Sequence, residues 1–168
     1  HTYGADFSIG GEFVKDLVSY FRLSLMSADQ DVIGDSYQRK DKSGNLTTIF
    51  PGYLRRPSDQ RVNFSIFFQD RLLNSPTYKV HLTMLYGSRL PIGSPLSERY
   101  SDDFRIPAYK RVDIGLTKVF IDQKDNKASG NFWWKFNELA LGVQIFNAFN
   151  INNTIANQWV TDVNSSNI

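Results

Sequence analysis

Apolar and polar residues alternate along several segments of this chain, and this period of two restricts the possible fold more than any other feature. Between residues 62 and 69 the apolar positions are Val62, Phe64, Ile66 and Phe68, and the polar positions between them include Asn63, Ser65 and Gln69. A period of two places alternate side chains on opposite faces of a β-sheet. The pattern recurs in about six segments. The sequence therefore predicts an all-β protein whose sheet has one apolar and one polar face.

The composition excludes several kinds of function. The 168 residues contain no cysteine, which excludes a disulfide framework, a thiol nucleophile and thiolate metal sites. Because 19 Lys and Arg residues are scattered among 17 Asp and Glu residues, a nucleic-acid partner is not expected. No apolar run approaches the roughly 20 residues of a membrane helix, whereas a membrane-spanning β-strand needs only about 9–11 residues with alternating character. The pattern is therefore compatible with strands that cross a membrane.

The lengths of the connections suggest an architecture. We expect strands at about residues 3–10, 18–29, 60–69, 77–88, 108–120 and 138–149 of a single domain. The connections between them are in turn short, long, short, long and intermediate, and a long polar tail follows. The first long connection contains Ser43-Gly44-Asn45, which predicts a small hairpin of its own. This order is typical of an antiparallel up-and-down transmembrane β-barrel, here a partial barrel of about six strands.

Lipid and a second protein layer are the two candidates to cover the apolar face. Large apolar residues and aromatic residues near strand ends, among them Tyr78, Tyr86, Tyr109, Trp133, Trp134 and Trp159, favour lipid. The residues predicted to face lipid are Val62, Phe64, Ile66, Phe68, Val80, Leu82, Met84, Val112, Ile114, Leu116, Leu141, Val143 and Ile145. Those predicted to face a polar lumen are Lys79, His81, Arg111, Asp113 and Gln144. A soluble β-sandwich that binds carbohydrate is the alternative, and a small complete barrel acting as an adhesin or anchor is a third.

Several stretches of the sequence resemble those of a known protein family. The stretches 56–70, 78–82 and 86–88 resemble late barrel strands of TonB-dependent outer-membrane receptors. The stretch 107–115 is similar to the start of a barrel strand in those receptors, and 145–154 is similar to the segment before their last strands. The resemblance covers nearly the whole chain, and it implies that residues 1–168 are a C-terminal barrel segment without the plug domain, the energy-coupling segment and the last strand.

The resemblance also implies a function and partners. Such receptors lie in the bacterial outer membrane and import an iron chelate, cobalamin or an oligosaccharide through a barrel closed around a plug. The implied partners are outer-membrane lipid, the plug and other strands of the same receptor, a TonB-type energy-coupling protein and a surface lipoprotein. No cofactor and no enzymatic activity are expected.

Loop residues are the best candidates for contact with a ligand, because long loops on a rigid scaffold carry recognition. The candidates combine rings with cations and are Tyr37, Arg39, Tyr53, Arg55, Arg56, Arg99, Tyr100 and Trp159. We expect the charged lumen residues to form cross-strand ion pairs and hydrogen bonds. The stretch from Asp41 to Asn45 is predicted to be a hairpin turn and not a calcium loop, because it lacks regular acid spacing. Since His81 has no second histidine near it in sequence, no metal site is expected.

Overall fold

The computed structural model describes residues 1–92, 104–122, 136 and 138–154, and within them the protein contains strands and no helix. The long strands are β1 (Thr2–Val14), β2 (Leu17–Gln30), β6 (Val62–Leu72), β7 (Ser75–Gly87), β10 (Tyr109–Ile121) and β11 (Leu139–Ile145). The short strands are β3 (Tyr37–Lys40), β4 (Leu46–Ile49), β5 (Leu54–Arg55), β8 (Pro91–Ile92) and β9 (Phe104–Arg105). Arg99, Tyr100, Trp133, Trp134 and Trp159 lie outside the described residues.

The six long strands form one antiparallel sheet in the order β1-β2-β6-β7-β10-β11, which is their order along the chain. The short strand β5 pairs with the end of β2, and β3–β4 and β8–β9 form two separate ladders in the long connections. The prediction of an all-β, antiparallel up-and-down sheet of about six long strands is confirmed. Over the described residues the sheet is open and is not closed into a barrel.

The connections differ in length at the two ends of the sheet. At one end Lys15 and Asp16 join β1 to β2, and Leu73 and Asn74 join β6 to β7. Asp16, the second residue of its connection, takes the left-handed conformation with φ 61°. At the other end lie the long connections 31–61 and 88–108. We call these the turn end and the loop end of the sheet.

The last strand ends earlier than predicted. We expected it to continue to residue 149, but β11 ends at Ile145. The reason is a turn in which Asn147 (φ 52°) and Asn150 (φ 49°) both take the left-handed conformation. Asparagine adopts this conformation more readily than most residues. The Ala148 N–H then donates to the carbonyl of Val112 at 2.7 Å, so after the turn the chain continues along β10 towards its first residues.

The sheet is a single layer with little interior. The buried apolar residues of the described segments are Leu17, Ala28, Val112 and Val119. Ile114 is 44% exposed and Val143 is 69% exposed, although both lie in the middle of apolar runs. Most of the large apolar side chains therefore face outward from the sheet and pack only on their neighbours along the same face.

Candidate functional site

The apolar residues of the six long strands share one face of the sheet. Cross-strand partners lie on the same face, and the register pairs Val112 with Met84, Met84 with Ile66 and Ile66 with Phe21. The structure places on this face Val62, Phe64, Ile66, Phe68, Val80, Leu82, Met84, Val112, Ile114, Leu116, Leu141, Val143 and Ile145. Residues from β1 and β2 continue the surface, which we call the apolar band: Ala5, Phe7, Ile9, Phe21, Leu23 and Leu25.

Two tyrosine–lysine pairs border the apolar band where β7 and β10 cross it. Tyr86 pairs with Lys110 on the loop side, and Tyr78 pairs with Lys118 on the turn side. The Lys118 ammonium lies 4.8 Å from the centre of the Tyr78 ring. Tyrosine and lysine both combine an apolar body with a polar tip, so they suit the edge between an apolar and a wet region.

The apolar band crosses the strands obliquely. The middle of the band is Phe7 on β1 and Ile114 on β10. The residue of β10 that lies on the same ladder rung as Phe7 is Lys110, four residues before Ile114. The rung runs through Leu23, Phe64 and Tyr86. Four residues are about 13 Å along a strand, and the four strand spacings between β1 and β10 are about 19 Å, which gives an angle of about 35°. The band is thus tilted against the ladder rungs.

The predicted lumen residues Lys79, His81, Arg111, Asp113 and Gln144 all lie on the opposite, polar face. We expected cross-strand ion pairs there, but the Arg111–Asp113 pair lies within β10. Its Nε–Oδ1 distance is 2.8 Å. An extended strand places residues i and i+2 on the same side, which allows this contact.

Asp113 also fixes the turn after β11. Its side chain is almost fully buried, and Oδ1 accepts the Asn147 N–H at 2.8 Å. Further along, Asn153 bonds the backbone of Lys110 twice, since its Oδ1 accepts the Lys110 N–H at 2.9 Å and its Nδ2 donates to the Lys110 carbonyl at 2.7 Å. The segment after β11 is therefore held against the loop end of β10.

Flat side chains form a row across the polar face. The Tyr20 and Phe67 rings stack with their centres 5.4 Å apart, and the centre of the His81 ring lies 6.2 Å beyond Phe67. The Arg22 guanidinium covers Tyr20 at 4.5 Å. His81 lies over Gly115, where a Cβ would overlap the imidazole ring. Glycine at this position is what allows the ring to lie against the sheet.

The predicted ligand-contacting residues fall into two groups in the described part of the chain. Tyr37 and Arg39 lie on the hairpin β3–β4. Tyr53, Arg55 and Arg56 lie near the end of β2, where Arg55 pairs with Asp29 and the Arg56 N–H donates to Ala28. The Tyr53 hydroxyl is 2.8 Å from Nε2 of His1.

The predicted hairpin at residues 43–45 is present between β3 and β4. The Asp41 carboxylate accepts the N–H of Asn45 at 2.9 Å and the N–H of Ser43 at 2.8 Å. These hydrogen bonds, that of Asn45 above all, hold the pKa of Asp41 below its ordinary value. Asp41 thus stabilises a turn by local hydrogen bonds.

A buried carboxylate that the sequence analysis did not single out anchors the first long connection. Asp59 is 0% exposed and accepts the Ala28 N–H at 2.9 Å and the Arg61 Nε at 3.0 Å. Burial raises the pKa of Asp59, but these donors outweigh it and hold the pKa below its ordinary value. The same hydrogen bond raises the pKa of Arg61. The signal for this ion pair in the sequence was the spacing of Asp59 and Arg61, an acid and a base two residues apart.

A basic cavity at the loop end was also not predicted from the sequence. It has a volume of about 620 Å³, and its cationic lining residues are Arg61, Arg89, Arg105 and Lys110. Tyr86 forms part of the wall, so the cavity lies beside the border of the apolar band. Its cations come from three separate segments, and only the tertiary register brings them together.

Comparisons with protein-family models, with curated proteins and with solved structures find no match for this chain. The described segments contain no group of three or more His, Cys, Asp or Glu residues placed to hold a metal ion. A helix with the length and hydropathy to cross a membrane is likewise not found in the part of the chain that the structure describes.

Proposed function

We propose that this chain is part of the wall of a TonB-dependent transport barrel in the bacterial outer membrane, which imports an iron chelate, cobalamin or an oligosaccharide. The apolar band contacts lipid, the polar face lines the lumen, and the long connections lie on the outer side. The plug, further strands of the receptor, a TonB-type energy-coupling protein and a surface lipoprotein are its proposed partners.

The oblique apolar band with its tyrosine–lysine borders is the observation that carries this proposal. Strands of outer-membrane barrels tilt by about 35–45°, and the angle of about 35° between the band and the ladder rungs agrees with that geometry. The distance from Lys110 to Lys118 is about 27 Å along the strand, or about 22 Å across the band at that tilt. This height is close to the roughly 25 Å apolar band of such barrels.

The two faces support the same proposal. Lipid on one side and water on the other require alternating apolar and polar residues on every long strand, and β7 shows this with Leu82 on the apolar face beside His81 and Thr83 on the polar face. The soluble β-sandwich alternative needs a second sheet against the apolar face. The six long strands, in contrast, form one layer.

Single-cysteine labelling tests the proposal, because the chain has no cysteine of its own. Cysteine is introduced as Leu82→Cys or as Thr83→Cys in the receptor reconstituted in vesicles, and each is labelled with a polarity-sensitive fluorophore. We expect a quencher attached to lipid acyl chains to quench the label at position 82 strongly and the label at position 83 weakly. A water-soluble quencher should give the opposite order.

Two results would contradict the proposal. Equal lipid quenching at both positions would show that the strand does not separate lipid from water. A detergent-free monomer in which both labels are inaccessible to both quenchers would indicate the packed core of a β-sandwich. Ser43→Cys, in the exposed turn between β3 and β4, is the control that should respond to the water-soluble quencher alone.

A further inference from the structure

We infer that the basic cavity at the loop end binds the phosphate groups of an anionic lipid in the adjacent membrane leaflet. This inference rests on the proposed function, since it requires the apolar band to lie in a bilayer. It adds a lipid-headgroup site beside the transport path.

The position of the cavity selects lipid over a transported solute. Tyr86 and Lys110 lie on the face of the apolar band and form its border on the loop side. Arg111 and Asp113, on the polar face, are on the other side of the same strand. A molecule in the cavity is therefore level with the edge of the apolar band, where lipid headgroups lie against a barrel.

The charge of the cavity selects an anion. Asp59 pairs with Arg61, so among the residues that the structure describes, the lining cations without an ion pair are Arg89, Arg105 and Lys110. None of the described lining residues is acidic. Arginine matches the geometry of phosphate oxygens with two parallel hydrogen bonds, and lysine adds a point charge. Three cations in one cavity suit a headgroup that carries more than one phosphate charge.

The fold holds these cations together. The β8–β9 ladder pairs Pro91 with Arg105, and the Ile106 N–H donates to the Leu90 carbonyl at 3.1 Å, which brings Arg89 and Arg105 to the same side of the connection. Asn153 fixes the backbone of Lys110. Pro107, Ala108 and Ile151 add an apolar wall, which is suited to an amphiphile.

Binding of lipid A, a phosphorylated glycolipid, to the purified receptor in detergent micelles tests the inference. Its dephosphorylated form and inorganic phosphate are titrated in parallel. We expect lipid A to bind more tightly than either, and Arg89→Gln/Lys110→Gln to weaken its binding by about fivefold for each charge removed. The matched control is Lys118→Gln, on the same strand and face but at the turn end, and it should change the affinity by less than twofold.

The outcomes separate the lipid site from the transport barrel. Unchanged lipid A affinity in the double variant would overturn the site, and inorganic phosphate binding as tightly as lipid A would show a free-anion site instead. Either result leaves the quenching pattern at positions 82 and 83 intact, whereas loss of that pattern would overturn the proposed function. If the double variant does not assemble, Arg89→Gln alone, in an exposed position, gives the same comparison.

Discussion

At the scale of the residue, Asp59 shows how one buried charge can hold a long connection in place. Its carboxylate joins the Ala28 N–H of β2 to the Arg61 guanidinium, and both donors favour the ionised form. Asp59→Asn keeps the volume but removes the charge. Because hydrogen bonds to charged groups contribute about 1.5–3 kcal/mol, we expect the free energy of unfolding to fall by about that amount at neutral pH.

The effect of this substitution should depend on pH. The pKa of Asp59 is lowered in the folded protein, so its contribution is complete above the ordinary carboxyl pKa and is lost as the pH falls through the folded value. The difference between wild type and Asp59→Asn should therefore shrink below about pH 4. Hydrogen exchange of the Ala28 amide is the local measurement, and Asp41→Asn, in the turn between β3 and β4, should leave it unchanged. A pH-independent difference would contradict the assigned role of the charge.

Gly115 gives a second prediction at this scale. A Cβ at this position would overlap the His81 imidazole, so Gly115→Ala should displace the ring and destabilise the protein by about 1–3 kcal/mol. In a His81→Ala background most of that loss should disappear, and a double-mutant cycle of unfolding free energies measures it. Gly11→Ala is the control, because nothing lies within 4 Å of a Cβ built there. Equal losses with and without His81 would show that the ring is not the obstacle.

At the scale of the element, the sequence predicts strands better than it predicts how they end. Alternation located all six long strands, because each has one face that packs on apolar neighbours and one that does not. It could not locate the end of β11, because Phe146 and Phe149 keep the segment after Ile145 rich in apolar residues. Two left-handed asparagines and a hydrogen bond to a residue 34 positions earlier decide that end. The basic cavity depends in the same way on contacts between distant segments.

The turn after β11 can be tested by separating conformation from hydrogen bonding. Asn147 has φ 52°, and its side chain exchanges hydrogen bonds with the backbone of Ile151 at 3.0 and 3.1 Å. Asn147→Gly loses these hydrogen bonds but takes the left-handed conformation without strain. Asn147→Ala loses the hydrogen bonds and is also strained in the left-handed conformation. We expect Asn147→Ala to be less stable than Asn147→Gly by about 1–2 kcal/mol. Chemical denaturation measures this order, and the reverse order would contradict the assigned conformation.

At the scale of the whole molecule, the apolar band runs at an angle to the ladder rungs, and this angle cannot be seen in any single strand. Each long strand carries an apolar run of similar length. The runs are level between β1 and β2 and between β7 and β10, but they are offset between β2 and β7, across β6, so over the five strands from β1 to β10 the band is oblique to the ladder rungs. Every one of these runs can be recognised in the sequence. The strand register cannot, and the tilt becomes visible only when the pairing is followed from Phe7 on β1 to Lys110 on β10.

The tilt predicts the depth of individual residues in a bilayer. Phe7 and Lys110 lie on the same rung, so a sheet with strands along the membrane normal would place them at equal depth. With the strands tilted by about 35°, Phe7 instead lies level with Ile114, in the middle of the band, and Lys110 lies about 11 Å nearer the surface. Spin labels on Phe7→Cys, Ile114→Cys and Lys110→Cys report depth through relaxation by oxygen, which concentrates in the bilayer centre, and by a water-soluble nickel complex. We expect the labels at 7 and 114 to agree and the label at 110 to lie at the interface. Agreement of 7 with 110 would mean that the strands run upright and that the oblique band does not follow the membrane.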